Sequence, residues 1–402
     1  SPLSFLFSRL NTPSSLSCSS QDFSRPFTSS IALLWTCSST SMSFLWLGAQ
    51  NWTQPSRWGL TSLSLGFPQS EIIRYHGYPS EEYEVTTKDG YILGVFRIPA
   101  GRNSRNTGKK PAVLLHHGTL GDCIHWISNL PNNSLGFLLA DAGYDVWMGN
   151  SRGNTWSLKH KTLKPSQKEF WQFSFDEIGK YDILAELCFI MNKTGQKDVY
   201  YIGTSEAAAA GFIALYTYPE LARRVKVFFA LGPVTTITHA TSPLVTFARL
   251  PKLLIRVPHS FILSQPWVTA FITLLLSLQS RIDTYVAHFP AGAAVQNVIH
   301  WHQNPFSKHN FWFNHLHSGL PPFLQSAPPV YPIEKISTPV AVWSGGRDKF
   351  ADPKDMAKLL PQISNLIYHE HFPSWGHLDF VWGLDATEKM YLKIIELMAK
   401  HP

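Results

Sequence analysis

The chain has 402 residues, of which 44% are hydrophobic and 15% charged, which suits one large α/β domain with an insertion, or two ordinary domains, and excludes disorder for most of its length. The net charge of +7 comes from scattered Lys and Arg, and pairs such as Lys109-Lys110 and Arg223-Arg224 never extend into a stripe, which argues against nucleic-acid binding. Four cysteines (Cys18, Cys37, Cys123, Cys188) lack C-x-x-C spacing, so zinc-ribbon and thioredoxin-like chemistry is excluded.

Residues 1–68 are rich in Ser, Leu, Phe and Trp and have little periodicity. The apolar runs Ile31 to Cys37 and Phe44 to Leu47 fit the core of a signal peptide, with "LGAQ" at 47–50 as a weak cleavage site. The other reading is an N-terminal region with no fold of its own. From residue 69 the pattern becomes orderly, and 69–402 reads as one domain.

"EEYEVTTKDGYILGVFRI" alternates around Lys88-Asp89-Gly90 and predicts a β-hairpin. "KKPAVLLHHG" (109–118) is a continuous apolar strand of the kind buried on both faces. A helix over 134–143, a strand over 144–150 and the polar loop "SRGNTW" follow. Next come a helix over 181–195, in which Cys188 reads as a small buried hydrophobe, then the strand "DVYYIG", the helix "EAAAAGFIALYTYPEL" and the strand "VKVFFALGP". Between about 235 and 330 the alternation breaks down into a Pro-, His- and aromatic-rich segment that reads as an inserted cap. Its run 261–280 is long enough for a membrane span, but Gln265-Pro266 interrupts it, so an apolar cap helix is the better reading. "TPVAVWSGG" and "NLIYHEHFP" are the last strands, and "DATEKMYLKIIELMAK" is an amphipathic helix. Strands alternating with helices predict a mostly parallel, eight-stranded sheet covered on both faces.

"GTSEA" (203–207) lies at the turn from strand to helix and is close to the G-x-S-x-G of a serine hydrolase. A serine hydroxyl needs a base to take its proton, and the resulting imidazolium needs a carboxylate. The order Ser, Asp, His, each after a strand, is met by Ser205, Asp348 after "VAVWSGGR", and His377 after "LIYHEHFPSWG". "LLHHGTLGD" (114–122) offers a loop for the second oxyanion donor. Together the four pieces predict an α/β-hydrolase fold. The five histidines of "HWHQNPFSKHNFWFNHLH" (300–317) lack carboxylate or cysteine companions, and no metal or cofactor is expected. Three sequons, starting at Asn51, Asn132 and Asn192, favour secretion weakly.

Segments 128–163, 169–183, 339–353 and 377–386 resemble the acid lipase family, and the likeness runs over about 70–402. The resemblance implies Ser205 as nucleophile, Asp348 as acid and His377 as base, with the backbone N–H groups of Thr119 and Glu206 forming the oxyanion hole. It also implies triacylglycerols and cholesteryl esters as substrates at a membrane or droplet surface. A lysosomal or secreted location and a monomeric enzyme are further expectations.

The elbow departs from the family's Gly-His-Ser-Gln-Gly at Thr204, Glu206 and Ala207. Ala207 adds a methyl where helix and strand pack closely, an overpacking that costs roughly 1–3 kcal/mol if it cannot relax. Glu206 brings a carboxylate toward a developing oxyanion. At ~6 Å and an effective dielectric of ~20 the repulsion is roughly 3 kcal/mol, about two orders of magnitude in rate, and solvent screening would remove most of it. The alternative function is therefore a catalytically impaired or inactive lipid-binding relative; thioesterase or peptidase chemistry on the same fold is the remaining option.

Overall fold

The computed structural model describes residues 68–104, 108–242, 245, 282–303 and 331–402. The N-terminal region, the apolar run 261–280 and most of the segment read as a cap lie outside the described residues.

The fold is a sheet of eight strands in the order β1-β2-β4-β3-β6-β7-β8-β9, with a two-residue ninth strand, β5, paired to β2. β1 (Glu81–Thr86) and β2 (Tyr91–Ile98) form the expected antiparallel hairpin, closed by the Thr87 N–H donating to the Tyr91 carbonyl at 2.8 Å. β2 also runs antiparallel to β4 (Asp145–Gly149). All later pairings on the path are parallel: β4 with β3 (Ala112–His116), then β6 (Val199–Thr204), β7 (Val225–Leu231), β8 (Val340–Gly345) and β9 (Leu366–Phe372). β5 is Lys159–His160 and was not legible in the sequence, being two residues drawn against Tyr91 and Ile92.

The continuous apolar strands are two-sided, as a covered parallel sheet requires. On β3, Ala112 and Leu114 enter one core while Val113 and Leu115 enter the other. The first core is capped by α3 (Ile183–Thr194) and α4 (Glu206–Thr217), the second by α2 (Leu135–Asp141) and α8 (Leu392–Lys400), with α1 (Gln69–Tyr75) at its edge. α4 is nearly all Ala in its first turns because it lies against aromatic strand residues. A Cβ on Gly211 would come within 2.6 Å of the Tyr201 ring and 2.8 Å of Phe228. α5 (Ile282–His288) and α6 (Val295–Gln303) lie in the segment inserted between β7 and β8, and α7 (Pro353–Leu359) follows β8, starting at Pro353 with Asp352 capping the Lys354 N–H.

Among the described residues no helix is long and apolar enough to cross a membrane.

Candidate active site

Parallel strands bring the loops at their carboxyl ends to one edge of the sheet, and the candidate residues gather there. Ser205 sits between β6 and α4 with φ 57° and ψ −117°, a left-handed strain that a non-glycine residue adopts only where its surroundings hold it. Those surroundings are visible: its N–H donates to the Leu231 carbonyl at 2.9 Å, and its own carbonyl accepts from Ala209 and Val234, each at 3.3 Å. The hydroxyl is thereby turned out from the sheet toward His377.

The Ser205 Oγ lies 2.7 Å from His377 Nε2, and His377 Nδ1 lies 2.8 Å from Asp348 Oδ2. With the ring proton on Nδ1, the serine hydroxyl donates to the imidazole and the imidazole donates to the carboxylate. Asp348 is buried and held from its far side, its Oδ1 accepting from the N–H groups of Phe350 at 2.8 Å and Ala351 at 2.9 Å. The Phe350 ring packs against His377 at 4.7 Å between centroids. Asp379, two residues past His377, does not compete for that role, because its Oδ2 accepts from the Gly376 N–H at 2.6 Å and shapes the turn that carries the histidine.

Facing the serine is the turn Gly118-Thr119-Leu120-Gly121, closed by the Gly121 N–H donating to the Gly118 carbonyl at 3.1 Å, with Leu120 at φ 64°. Gly118 is there because the turn approaches so closely: a Cβ would lie 2.7 Å from Ser205 Cβ and 3.2 Å from its Oγ. His117, one residue earlier, orients the turn. Its Nε2 accepts from the Ser151 N–H at 3.1 Å, which leaves Nδ1 as the donor to the Gly118 carbonyl at 2.8 Å. Burial, reinforced by the neighbouring His116, pushes the His117 pKa well down and keeps this ring neutral. Among the described residues no acceptor takes the backbone N–H of Thr119 or of Glu206.

Glu206 does not turn into solvent, so the screening considered above is absent. It is 5% exposed, and its Oε2 accepts from Thr119 Oγ1 at 2.7 Å, Asn297 Nδ2 at 2.7 Å and Trp301 Nε1 at 2.8 Å. Burial raises its pKa, and the three donors pull the other way without cancelling that rise. Ala207 is buried, and its carbonyl accepts from the Tyr201 hydroxyl at 2.8 Å.

Residues 69–130 match the model of the partial alpha/beta-hydrolase lipase region, and residues 111–384 match that of the alpha/beta hydrolase fold. The chain is 48% identical to human lysosomal acid lipase/cholesteryl ester hydrolase, over 83% of this chain and 90% of that protein. The chain belongs to the acid lipase family. Mouse gastric triacylglycerol lipase is a further acid lipase relative, 44% identical over 82% of this chain and 91% of that one. Among solved structures, a thermophilic esterase from Thermogutta terrifontis superposes with a TM-score of 0.51 at 15% identity, covering 80% of this chain and 100% of that one, which bears on the acid lipase fold alone.

Several residues around this acid lipase site escaped sequence reasoning. His117 stood unremarked within "LLHHGTLGD", yet it holds the turn. Asn297 and Trp301 were lost in the aromatic cap segment. The loop "SRGNTW" read as polar, yet its first four residues are buried: Arg152 is 2% exposed, with its Nε on Asp182 at 2.8 Å, its Nη1 on Asp89 at 2.5 Å and its guanidinium 4.0 Å from the Tyr91 ring centroid. Of the five cap histidines, His300 is described; it is buried and stacked on Phe175 at 4.6 Å, and the four at 302–317 lie outside the described side chains. Cys188 is partly buried and packs against the core, and Cys123 is buried; Cys18 and Cys37 lie outside the described residues. Asn132 and Asn192 are exposed, and Asn51 is outside the described residues.

Proposed function

We propose that this acid lipase chain hydrolyses neutral-lipid esters, triacylglycerols and cholesteryl esters, with Ser205 as nucleophile, His377 as base and Asp348 as the orienting carboxylate. The observation that carries this reading is the continuous hydrogen-bonded chain Ser205–His377–Asp348 ending on a serine held at φ 57°. His377 Nε2 takes the hydroxyl proton as Ser205 Oγ bonds to the ester carbonyl carbon. The carbonyl oxygen becomes an oxyanion in front of the Thr119 and Glu206 N–H groups. The imidazolium, stabilised by Asp348, returns the proton to the alcohol as its C–O bond breaks. Water then repeats the sequence on the acyl-serine, releasing the fatty acid and restoring the serine.

The substrate class follows from the two relatives, whose names give a cholesteryl ester hydrolase and a triacylglycerol lipase. A lysosomal or secreted location and action as a monomer at a lipid surface accompany it. The test is release of fatty acid from emulsified trioleoylglycerol and cholesteryl oleate, with fluorophosphonate labelling of the serine. Labelling and turnover that Ser205→Ala abolishes support the reading. Bound lipid with neither labelling nor turnover overturns it in favour of a non-catalytic lipid binder.

A further inference from the structure

Three parts of the chain distant in sequence meet at one oxygen atom. Glu206 Oε2 accepts from Thr119 in the turn facing the nucleophile, and from Asn297 and Trp301 on α6. Asn297 and Trp301 are four residues apart and so lie on the same face of that helix. Their orientation is set independently. The Asn297 Oδ1 accepts from the Phe175 N–H at 2.9 Å, which turns its amide nitrogen toward Glu206, and the Trp301 ring stacks on Phe175 at 4.3 Å. A second tie joins the same two segments: the Ala291 N–H donates to the Leu120 carbonyl at 2.7 Å, and the Ala291 carbonyl accepts from Thr155 N–H and Oγ1, each at 2.8 Å.

The turn 118–121 has no ladder or helical hydrogen bonds of its own, so the direction of the Thr119 N–H depends on what holds its residue. A ~1 Å error there costs about 10²-fold in rate. We propose that the Glu206 side chain is a positioning residue: it fastens the oxyanion turn, through Thr119, and the cap's returning helix, through Asn297 and Trp301, to the residue that follows the nucleophile. This rests on the reading of Ser205 as nucleophile. The acidic elbow residue is then a fastening point, and what the site requires at this position is an acceptor oxygen.

The test uses the full chain and a soluble short-chain p-nitrophenyl ester. Glu206→Ala should lower kcat by about 10²-fold with KM changed by less than about threefold, the lower end of the loss for an oxyanion donor. Thr119→Val should fall by a similar factor, and the double variant should fall no further than the worse single one. Glu206→Gln, which keeps an acceptor oxygen, should turn over at least as fast as wild type. A kcat unchanged in Glu206→Ala, or losses in the double variant that multiply, would overturn the proposal. Amide hydrogen exchange supplies a readout that needs no activity: Glu206→Ala should speed exchange in 118–121 and 295–303 together and leave β6 unchanged. Acceleration confined to one of those segments, or spread over the whole fold, also overturns it. If wild type shows no turnover that depends on Ser205, the nucleophile reading falls, and the exchange result alone decides whether Glu206 fastens the two segments.

Discussion

Gly118 and Ser205 share a space that admits only one side chain, since a Cβ on Gly118 would stand 2.7 Å from Ser205 Cβ, 3.2 Å from Oγ and 3.3 Å from the Thr204 carbonyl. Neither backbone can retreat easily. The turn is held by His117, and the elbow is held by Leu231.

Gly118→Ala should therefore lower kcat by at least about 10²-fold, by displacing the serine or the oxyanion turn. The stability cost should stay within about 1–3 kcal/mol, the usual range for overpacking. Fluorophosphonate labelling rate and a thermal melt measure the two effects separately. Full labelling at the wild-type rate would show that the turn stands farther from the serine.

Asp348→Asn should keep the fold and nearly abolish turnover. The amide oxygen can still accept from Phe350 and Ala351, but the amide nitrogen would then face His377 Nδ1 and favour the ring tautomer that cannot take the serine proton. A kcat reduced by about 10³- to 10⁴-fold with little change in KM is expected. Steady-state kinetics on the soluble ester checks it, and a loss of less than tenfold would assign the orienting role elsewhere.

The pH dependence of Glu206→Gln follows from the raised pKa of Glu206, set by burial against three donors. In acid the carboxyl is neutral and the variant differs little from wild type. As pH rises through the raised value the charge appears and opposes the oxyanion. The ratio of variant to wild-type kcat should therefore climb with pH, to about three- to tenfold once the carboxyl is charged, a fraction of the full Coulomb repulsion because three dipoles already face the charge. The same sign governs folding: a carboxyl whose pKa is raised on folding stabilises least above that value, so the variant's melting temperature should gain on wild type as pH rises. A ratio that stays flat from pH 4 into the alkaline range would mean that the charge does not reach the reacting oxygen.

His116 ends β3, and its Nε2 lies 3.3 Å from Glu186 Oε2 on α3, both side chains fully buried and not aligned as a hydrogen bond. Burial is the largest influence and disfavours the imidazolium, but the Glu186 carboxylate, Asp182 and the His117 backbone together outweigh it and the His116 pKa is raised. That contribution to stability is complete below the ordinary histidine value of about 6.5 and is lost as pH rises through the raised one. Glu186→Gln should cost about 3–5 kcal/mol in acid, as breaking a buried ion pair does, and less in alkali. Thermal melts at pH 5 and pH 9 check this; equal losses at both would mean that the charge state of His116 does not change between them.

Much of the candidate site was legible before the fold was known. Strands buried on both faces must be apolar throughout, so β3, β6, β7 and β8 stood out, and in a parallel sheet whatever follows each strand arrives at the same edge. That rule, with the Ser, Asp, His order, gathered Ser205, Asp348, His377 after β9, and the loop at 114–122. Turn residues such as Lys88-Asp89-Gly90 were legible too, because their signals are local.

The direction of the Glu206 carboxylate was not local. Its partners come from 87, 91 and 95 residues away. Sequence reasoning priced it as a bare charge near an oxyanion or as a screened one in water, and it is neither. The same holds for Arg152, which is polar by type yet buried because Asp89 and Asp182 surround it. Periodicity and motif order report which face of an element a residue occupies. The state of a charge depends on which dipoles and carboxylates the packed elements bring within hydrogen-bonding distance, and only the tertiary structure decides that.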